Sequence, residues 1–176
     1  MSAKKTVRNV FVLKINDDNE GAWLRSVRHA LNEDVIIVGW SKIPDLTVNP
    51  TLKNITKKVL KHYYRNKRRH RAEAEKEAGQ ILLFLEAMVP GSYVLVPDGD
   101  KIFLAEISGG VSYVARKAKG DAAYRREVVW LNKYSAIRKG SLYRKVIDYQ
   151  QSDTPIHQVN ELLPKIEQYL TTIKKE

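Results

Sequence analysis

The chain has no cysteine in its 176 residues. That excludes a disulfide framework, a thiolate metal site and a cysteine nucleophile, and it points to a cytoplasmic protein. Histidine is also scarce. The four are His29, His62, His70 and His157, at no spacing that would chelate a metal, so no metal ligands are expected. No Walker loop, no GxGxxG and no GxSxG occurs. No apolar run approaches the roughly 20 residues that span a bilayer, and the polar start from Met1 to Arg8 lacks the apolar stretch of a secretion signal. Acidic residues are few and scattered, whereas a nuclease holds its divalent ions with several clustered carboxylates. Asp98 and Asp100 look like a carboxylate pair, but they flank Gly99 in a hairpin turn. Glu106 stands alone in an apolar strand, where an outward-facing side chain explains it. These absences describe a non-enzyme with no catalytic residues, no cofactor and no membrane partner.

What the chain has in excess is positive charge. Lys and Arg number 31 against 20 Asp and Glu, a net +11 with a pI near 9.7. The charge is clustered. Lys53, Lys57, Lys58, Lys61, Arg65, Lys67, Arg68, Arg69 and Arg71 follow one another with no acid until Glu73, and His62, Tyr63, Tyr64 and His70 lie among them. A second group holds Arg116, Lys117, Lys119, Arg125 and Arg126, and a third Arg138, Lys139, Arg144 and Lys145. Three cationic segments that converge would form a surface for phosphates. None is paired with a large apolar face, which favours nucleic acid over a lipid surface.

The hydrophobic pattern predicts an α+β chain. Val7 to Ile15, Val35 to Trp40, Ser92 to Pro97, Lys101 to Ser108, Val111 to Ala115 and Arg126 to Leu131 read as strands. Asn16 to Gly21 and Pro90-Gly91 are turns. Apolar spacing predicts helices from Trp23 to Leu31, Leu52 to His70, Glu73 to Met88 and Ile156 to Ile173, the last kinked or divided at Pro164. About six short strands with bracketing helices suggest a small curved sheet or open barrel. The run of strands from Ser92 to Leu131 argues against a doubly wound sheet, whose crossovers need helices. A single domain over 1–173 is expected, with a basic helical insertion at 52–78 and a tail at 174–176.

The aromatics add a clue. Trp40 ends an apolar strand after Gly39 and precedes a polar loop, and Tyr113 and Tyr124 flank the basic segment Arg116 to Asp121. Aromatic faces beside cations suit a protein that stacks an extruded base while gripping its backbone.

In this order the motifs resemble the EVE and YTH branch of the PUA-like superfamily, small barrels that bind a flipped or single-stranded modified base. Val10-Phe11-Val12-Leu13-Lys14-Ile15-Asn16 is similar to the first strand of YTH domains, and Val38-Gly39-Trp40-Ser41 to their Gly-Val-Trp-Ser. Tyr93 to Val96, Ile102 to Ile107, Glu127 to Leu131, Ile137-Arg138 and Ile156 to Ile166 follow the later strands, basic segment and terminal helix. The resemblance covers nearly the whole chain outside Leu52 to Gln80. Ile37-Val38-Gly39-Trp40 with Asp45-Leu46, Gly79 to Phe84 and Arg125 to Trp130 are also similar to N-terminal domains of prokaryotic modification-dependent restriction proteins, which deliver a separate nuclease or motor.

The resemblance implies a base pocket in which Trp40 stacks, the Ser41 backbone meets the exocyclic amine and Asn16 bonds the base edge. Lys14 and Arg138 would hold phosphate, joined on charge by Lys67, Arg68, Arg69, Arg116, Lys117, Arg125 and Lys139. YTH domains carry further cage tryptophans before the strand of Trp130, and this chain has none there, so Tyr113 or Tyr124 would substitute. The expected partner is nucleic acid, DNA before RNA, with a nuclease or NTPase domain or subunit alongside. The rival expectations are an RNA-binding module or charge-driven adaptor without modification preference, and a protein that docks an acidic partner on the basic helix.

Overall fold

The computed structural model describes residues 8–16 and 20–174. The expected strand start at Val7, residues 17–19 of the first turn and residues 175–176 of the tail lie outside them. The chain forms β1 (Val10–Leu13), α1 (Val27–Glu33), β2 (Val35–Val38), α2 (Leu52–Tyr63), α3 (Arg71–Leu82), β3 (Tyr93–Asp98), β4 (Lys101–Tyr113), β5 (Tyr124–Trp130), α4 (Gly140–Val146), β6 (Ile156–Gln158) and α5 (Leu163–Ile173).

The strands make one mixed sheet in the order β2-β5-β4-β3-β1-β6. β1 runs parallel to β3, with Phe11 opposite Val94, and all other pairings are antiparallel. Both faces are covered, which is why the central strands read as near-continuous apolar runs. Phe11, Leu13, Val94, Val96, Phe103 and Ala105 face one core, closed by Val27 and Ala30 of α1, Ile55 and Val59 of α2, and Ala74, Ala78 and Ile81 of α3. The alternate residues Val10, Val12, Tyr93, Leu95, Ile102 and Leu104 face a second core under Leu142 and Val146 of α4 and Ile166 of α5.

The sheet is open, with β2 and β6 at its edges. The pairings make β1 and β2 antiparallel in sense, so in a flat sheet their last residues would lie at opposite ends. Instead Arg25 donates to the carbonyl of Ile15, just after β1, and to Asp121, whose other oxygen binds Ser41 just after β2. The sheet therefore curls strongly about the first core. Its bend falls in β4, where the register with β5 shifts between Ile107 and Val111 across Gly109-Gly110, a bulge of the kind that turns a strand.

Several expectations need correction. The predicted helix over Leu52 to His70 ends at Tyr63, because Arg65 and Asn66 adopt left-handed backbone (φ 49° and 57°) and reverse the chain. The next helix begins at Arg71 and passes into a π-helical turn over Leu83–Ala87. There the guanidinium of Arg126, 4% exposed, takes the carbonyls of Phe84 and Leu85 at 2.8 and 2.7 Å. The strands expected over Lys101 to Ser108 and Val111 to Ala115 are one bulged strand that ends at Tyr113, and Ala115 begins a 3-10 helical segment. Ile156–Gln158, expected as helix, is an edge strand, and Pro164 stands in the first turn of α5. A proline costs a helix nothing there, because that N–H has no partner to lose. The helix α4 lay unread in the third basic segment. Trp23, expected on a helix, precedes α1 and is exposed. No helix among the described residues is long and apolar enough to cross a membrane.

Candidate functional site

The curl leaves a cleft of about 860 Å³ where the chain after β1, β2 and β3 meets the α2–α3 hairpin and the loop 150–155. Lys14, Asn16, Gly39, Trp40, Tyr63, Tyr64, Glu77 and Asp121 are among its walls.

One wall is built around Asp121. Its backbone is left-handed (φ 53°), its Oδ1 accepts from the Ser41 backbone N–H at 3.0 Å, and its Oδ2 accepts from Arg25 Nε at 3.1 Å. Gly39 passes so close that a Cβ there would lie 2.8 Å from Asp121 Oδ2 and 3.3 Å from Arg25 Cζ; a larger residue would have to displace the Asp121–Arg25 pair. Trp40 follows with φ 64°, a conformation that bulky residues avoid and that tends to mark functional positions. Its carbonyl accepts from Ile43 N at 3.0 Å, which closes a turn. The half-buried indole therefore reaches the cleft on a fixed backbone.

The opposite wall comes from the basic hairpin. The indole Nε1 of Trp40 donates to Glu77 Oε2 at 2.8 Å, and the Tyr64 hydroxyl donates to Glu77 Oε1. That bond to a carboxylate pushes the Tyr64 phenol up to about 12. Tyr64 also stacks on His70, with ring centroids 5.0 Å apart. Beside it, burial raises the pKa of Tyr63, and Lys42 Nζ lies 5.4 Å from its ring centroid.

Of the residues expected in a base pocket, Asn16 and Trp40 line the cleft. Asn16 is already engaged, its Nδ2 donating to Asp98 at 2.8 Å and its Oδ1 accepting from Val27 N at 2.9 Å, which ties β1 to the start of α1. Ser41 lies behind the wall, 2% exposed. Its N–H goes to Asp121, its Oγ accepts from Ala123 N, and its carbonyl accepts from the Tyr113 hydroxyl. Tyr124 is also 2% exposed, with its hydroxyl between the Ile43 carbonyl and Leu46 N. Tyr113 packs on it at 4.9 Å. These two tyrosines support the loop after Trp40 from beneath, and the aromatic surfaces that do face Trp40's cleft are Tyr63 and Tyr64. Their sequence signal was present, as two aromatics in a run of cations.

The expected phosphate contacts divide similarly. Lys14 lines the cleft, its Nζ donating to the Ser152 carbonyl at 3.3 Å. Lys67, Arg68 and Arg69 are exposed in the α2–α3 turn that borders it. Arg138 and Lys139 are exposed too. Arg138 pairs with Asp100 at 2.6 Å, one hairpin away from Pro97 of the cleft. Arg116 is exposed, but Lys117 is tied to Glu33 at 2.7 Å. Arg125, expected at the surface, is 6% exposed and bonds Glu33 and the Ala122 carbonyl, the latter at 3.2 Å. The bonds from Lys117 and Arg125, Lys117 first, hold the Glu33 carboxyl down to about 2. Arg125 and Arg126 were read as surface charge because a strand alternates, yet both serve as internal donors.

Among the described residues no group of His, Asp and Glu is arranged to hold a metal ion. No curated protein and no solved structure matches the chain. A family match spans residues 21–152, which takes in α1 to α4, the sheet from β2 to β5, and Trp40, Tyr63, Tyr64, Glu77 and Asp121 of the cleft. The chain belongs to the family described as Domain of unknown function (DUF8426).

Proposed function

We propose that this protein is a nucleic-acid reader that takes a single flipped, modified base of DNA into the cleft beside Trp40, without chemistry of its own. The observation that carries the reading is an aromatic-walled cleft, Trp40 facing Tyr63 and Tyr64, with exposed cations beside it. The left-handed backbone at Trp40 adds to it, since such geometry persists only where the surroundings enforce it. The strongly curled open sheet is compatible with the PUA-like, EVE/YTH type of fold, and supports that assignment as part of the same proposal. Its role would be to recognise modified DNA for a nuclease or NTPase domain or subunit in a restriction or defence system.

The mechanism follows from the division of charge. Lys67, Arg68, Arg69, Arg116, Arg138 and Lys139 sit on the exterior and would supply salt-dependent attraction for the backbone. Extruding a base costs a few kcal/mol, and stacking on an aromatic face returns about 1–3 kcal/mol per base. Discrimination then depends on fit around the modification, where a buried methyl contributes about 1 kcal/mol and more if the unmodified base leaves a void.

The test is fluorescence anisotropy at near-physiological salt, with duplex and single-stranded oligonucleotides carrying N6-methyladenine, 5-methylcytosine, N4-methylcytosine or no modification. The reading expects about a tenfold preference for a modified oligonucleotide, equivalent to about 1.4 kcal/mol. Trp40→Ala should abolish the preference and leave only weak, salt-sensitive binding. Equal binding to every oligonucleotide, unchanged in the Trp40→Ala variant, would reduce the protein to a charge-driven adaptor.

A further inference from the structure

Glu77 is the unusual charge in the cleft. It is half-buried, yet its hydrogen-bond partners among the described residues are both neutral, the indole N–H of Trp40 and the hydroxyl of Tyr64. No Lys, Arg or His among those residues forms an ion pair with it, although the chain carries 31 Lys and Arg. The neighbouring cleft carboxylate, Asp121, has its guanidinium partner at 3.1 Å. A shielded carboxylate without a cation is costly to maintain, and here a basic protein maintains one inside a cavity. The two groups that hold it are aromatic, and donation from the indole and phenol to an anion enriches both rings in electrons. A carboxylate flanked by electron-rich rings is complementary to a flat, delocalised cation.

Resting on the base-pocket reading, we propose that the cleft selects a base that is positively charged at neutral pH. The class is a ring-nitrogen-alkylated base such as 1-methyladenine or 3-methylcytosine, in preference to the neutral isomers methylated on the exocyclic nitrogen. The cationic ring stacks between Trp40 and the tyrosines at the end of α2, Tyr63 and Tyr64, and its polarised amino group points to Glu77. Each carboxylate oxygen has two lone pairs, so the two existing bonds leave one on each oxygen for the ligand. Alkylation on the pairing edge also removes Watson–Crick bonding, so such a base leaves the duplex at the lowest cost. Lys14, Arg25 and Lys76 also line the cleft, but against Glu73, Glu77, Asp121 and Asp153, while Arg68 and Arg69 at the hairpin tip are left for phosphate.

The experiment uses the full chain and single-stranded DNA with one 1-methyladenine or one N6-methyladenine, isomers as neutral bases, of which the 1-methyl form holds an extra proton at neutral pH and is cationic. The reading of each preparation is the ratio of the two dissociation constants, which cancels any loss of folded protein. The wild type should bind the 1-methyladenine oligonucleotide about tenfold tighter, and Glu77→Gln should narrow the ratio to about twofold or less. The 3-methylcytosine and N4-methylcytosine pair should behave alike. If the neutral isomer binds as tightly as the cationic one and Trp40→Ala abolishes both, the base pocket stands and the selection for charge is overturned. A tenfold ratio that survives Glu77→Gln also overturns it. No preference for any modified base, with Trp40→Ala indistinguishable from wild type, overturns both readings together.

Discussion

Replacing Asp121 by Ala tests whether the cleft wall is held as described. The substitution removes the charge-assisted bonds to Arg25 Nε and Nη2, both 3.1 Å, and the bond from the Ser41 backbone N–H at 3.0 Å. The Arg25 side chain is only 12% exposed and Ser41 2%, so water does not readily replace the lost acceptor. A hydrogen bond to a charged group is worth about 1.5–3 kcal/mol, and a stranded buried donor costs about 1–3 kcal/mol. The left-handed backbone at φ 53° adds a further penalty, since alanine tolerates it less well than aspartate. Allowing for overlap among these effects, the loss is about 4 kcal/mol, or a fall in Tm of about 8–16 °C for a chain of this size. Asp121→Asn is the informative control. Its carbonyl oxygen still accepts from Ser41, its amide meets Arg25 donor to donor, and its side chain suits the left-handed backbone, so about half the loss is expected. Thermal unfolding by far-UV circular dichroism, repeated in urea, measures both. The argument fails if Asp121→Ala lies within about 1 kcal/mol of wild type, or if the two variants are equally damaged.

The two remaining predictions concern charges inside the fold. Arg126→Met keeps bulk but leaves the carbonyls of Phe84 and Leu85 without their donor, which should cost about 2–4 kcal/mol in urea unfolding. It should also speed amide exchange across the π-helical turn; unchanged exchange there would show that the turn holds its own shape. Glu33 is held down to about 2 from an ordinary 4.5, so its contribution to stability is full above 4.5 and disappears as pH falls through about 2. Its carboxylate is a third exposed, which makes the effect smaller than the shift alone implies. A plot of Tm against pH should show this loss in wild type and a flatter acid limb in Glu33→Gln. Identical acid limbs would mean that the contacts with Lys117 and Arg125 contribute nothing net.

Periodicity revealed most of the central sheet, because β3 and the first half of β4 are apolar on both faces and their hairpin carries its own turn signal at Asp98-Gly99-Asp100. What it missed depended on contacts far away in sequence. Ile156–Gln158 is a strand because β1 offers it an edge, and three residues are too few for a pattern to distinguish strand from helix. The helical spacing through Leu52 to His70 does not register the reversal at Arg65 and Asn66; Asn66 favours left-handed backbone, but Arg65 does not, and a single asparagine in a run of cations is a weak stop signal. Arg125 and Arg126 illustrate a related limit, since a formal charge says nothing about whether its partners are water or buried carbonyls. In the cleft, Trp40 was legible through Gly39 and the apolar strand before it. Glu77 was not legible, because one of three glutamates in a helix, beside Glu73 and Glu75, looks like any solvated charge until the fold brings it under Trp40. Tyr113 and Tyr124 were the tyrosines nearest the basic loop in sequence, but folding places Tyr63 and Tyr64 nearer the indole.

The position of β1 in the sheet bears on how the chain is made. β1 leaves a ribosome before both of its neighbours in the sheet, β3 and β6, and Val10 N bonds the Asn160 side chain 150 residues later. At about 5–20 residues per second, Val10 to Leu13 would wait roughly 8–30 s for the last of its partners, with four fully apolar residues unpaired. Long-range pairing of this kind slows folding and exposes sticky strand edges meanwhile. Nascent chains should therefore depend on chaperone protection of this segment until β6 emerges, and moving β1 to the C-terminus by circular permutation should relieve that dependence while keeping the finished sheet.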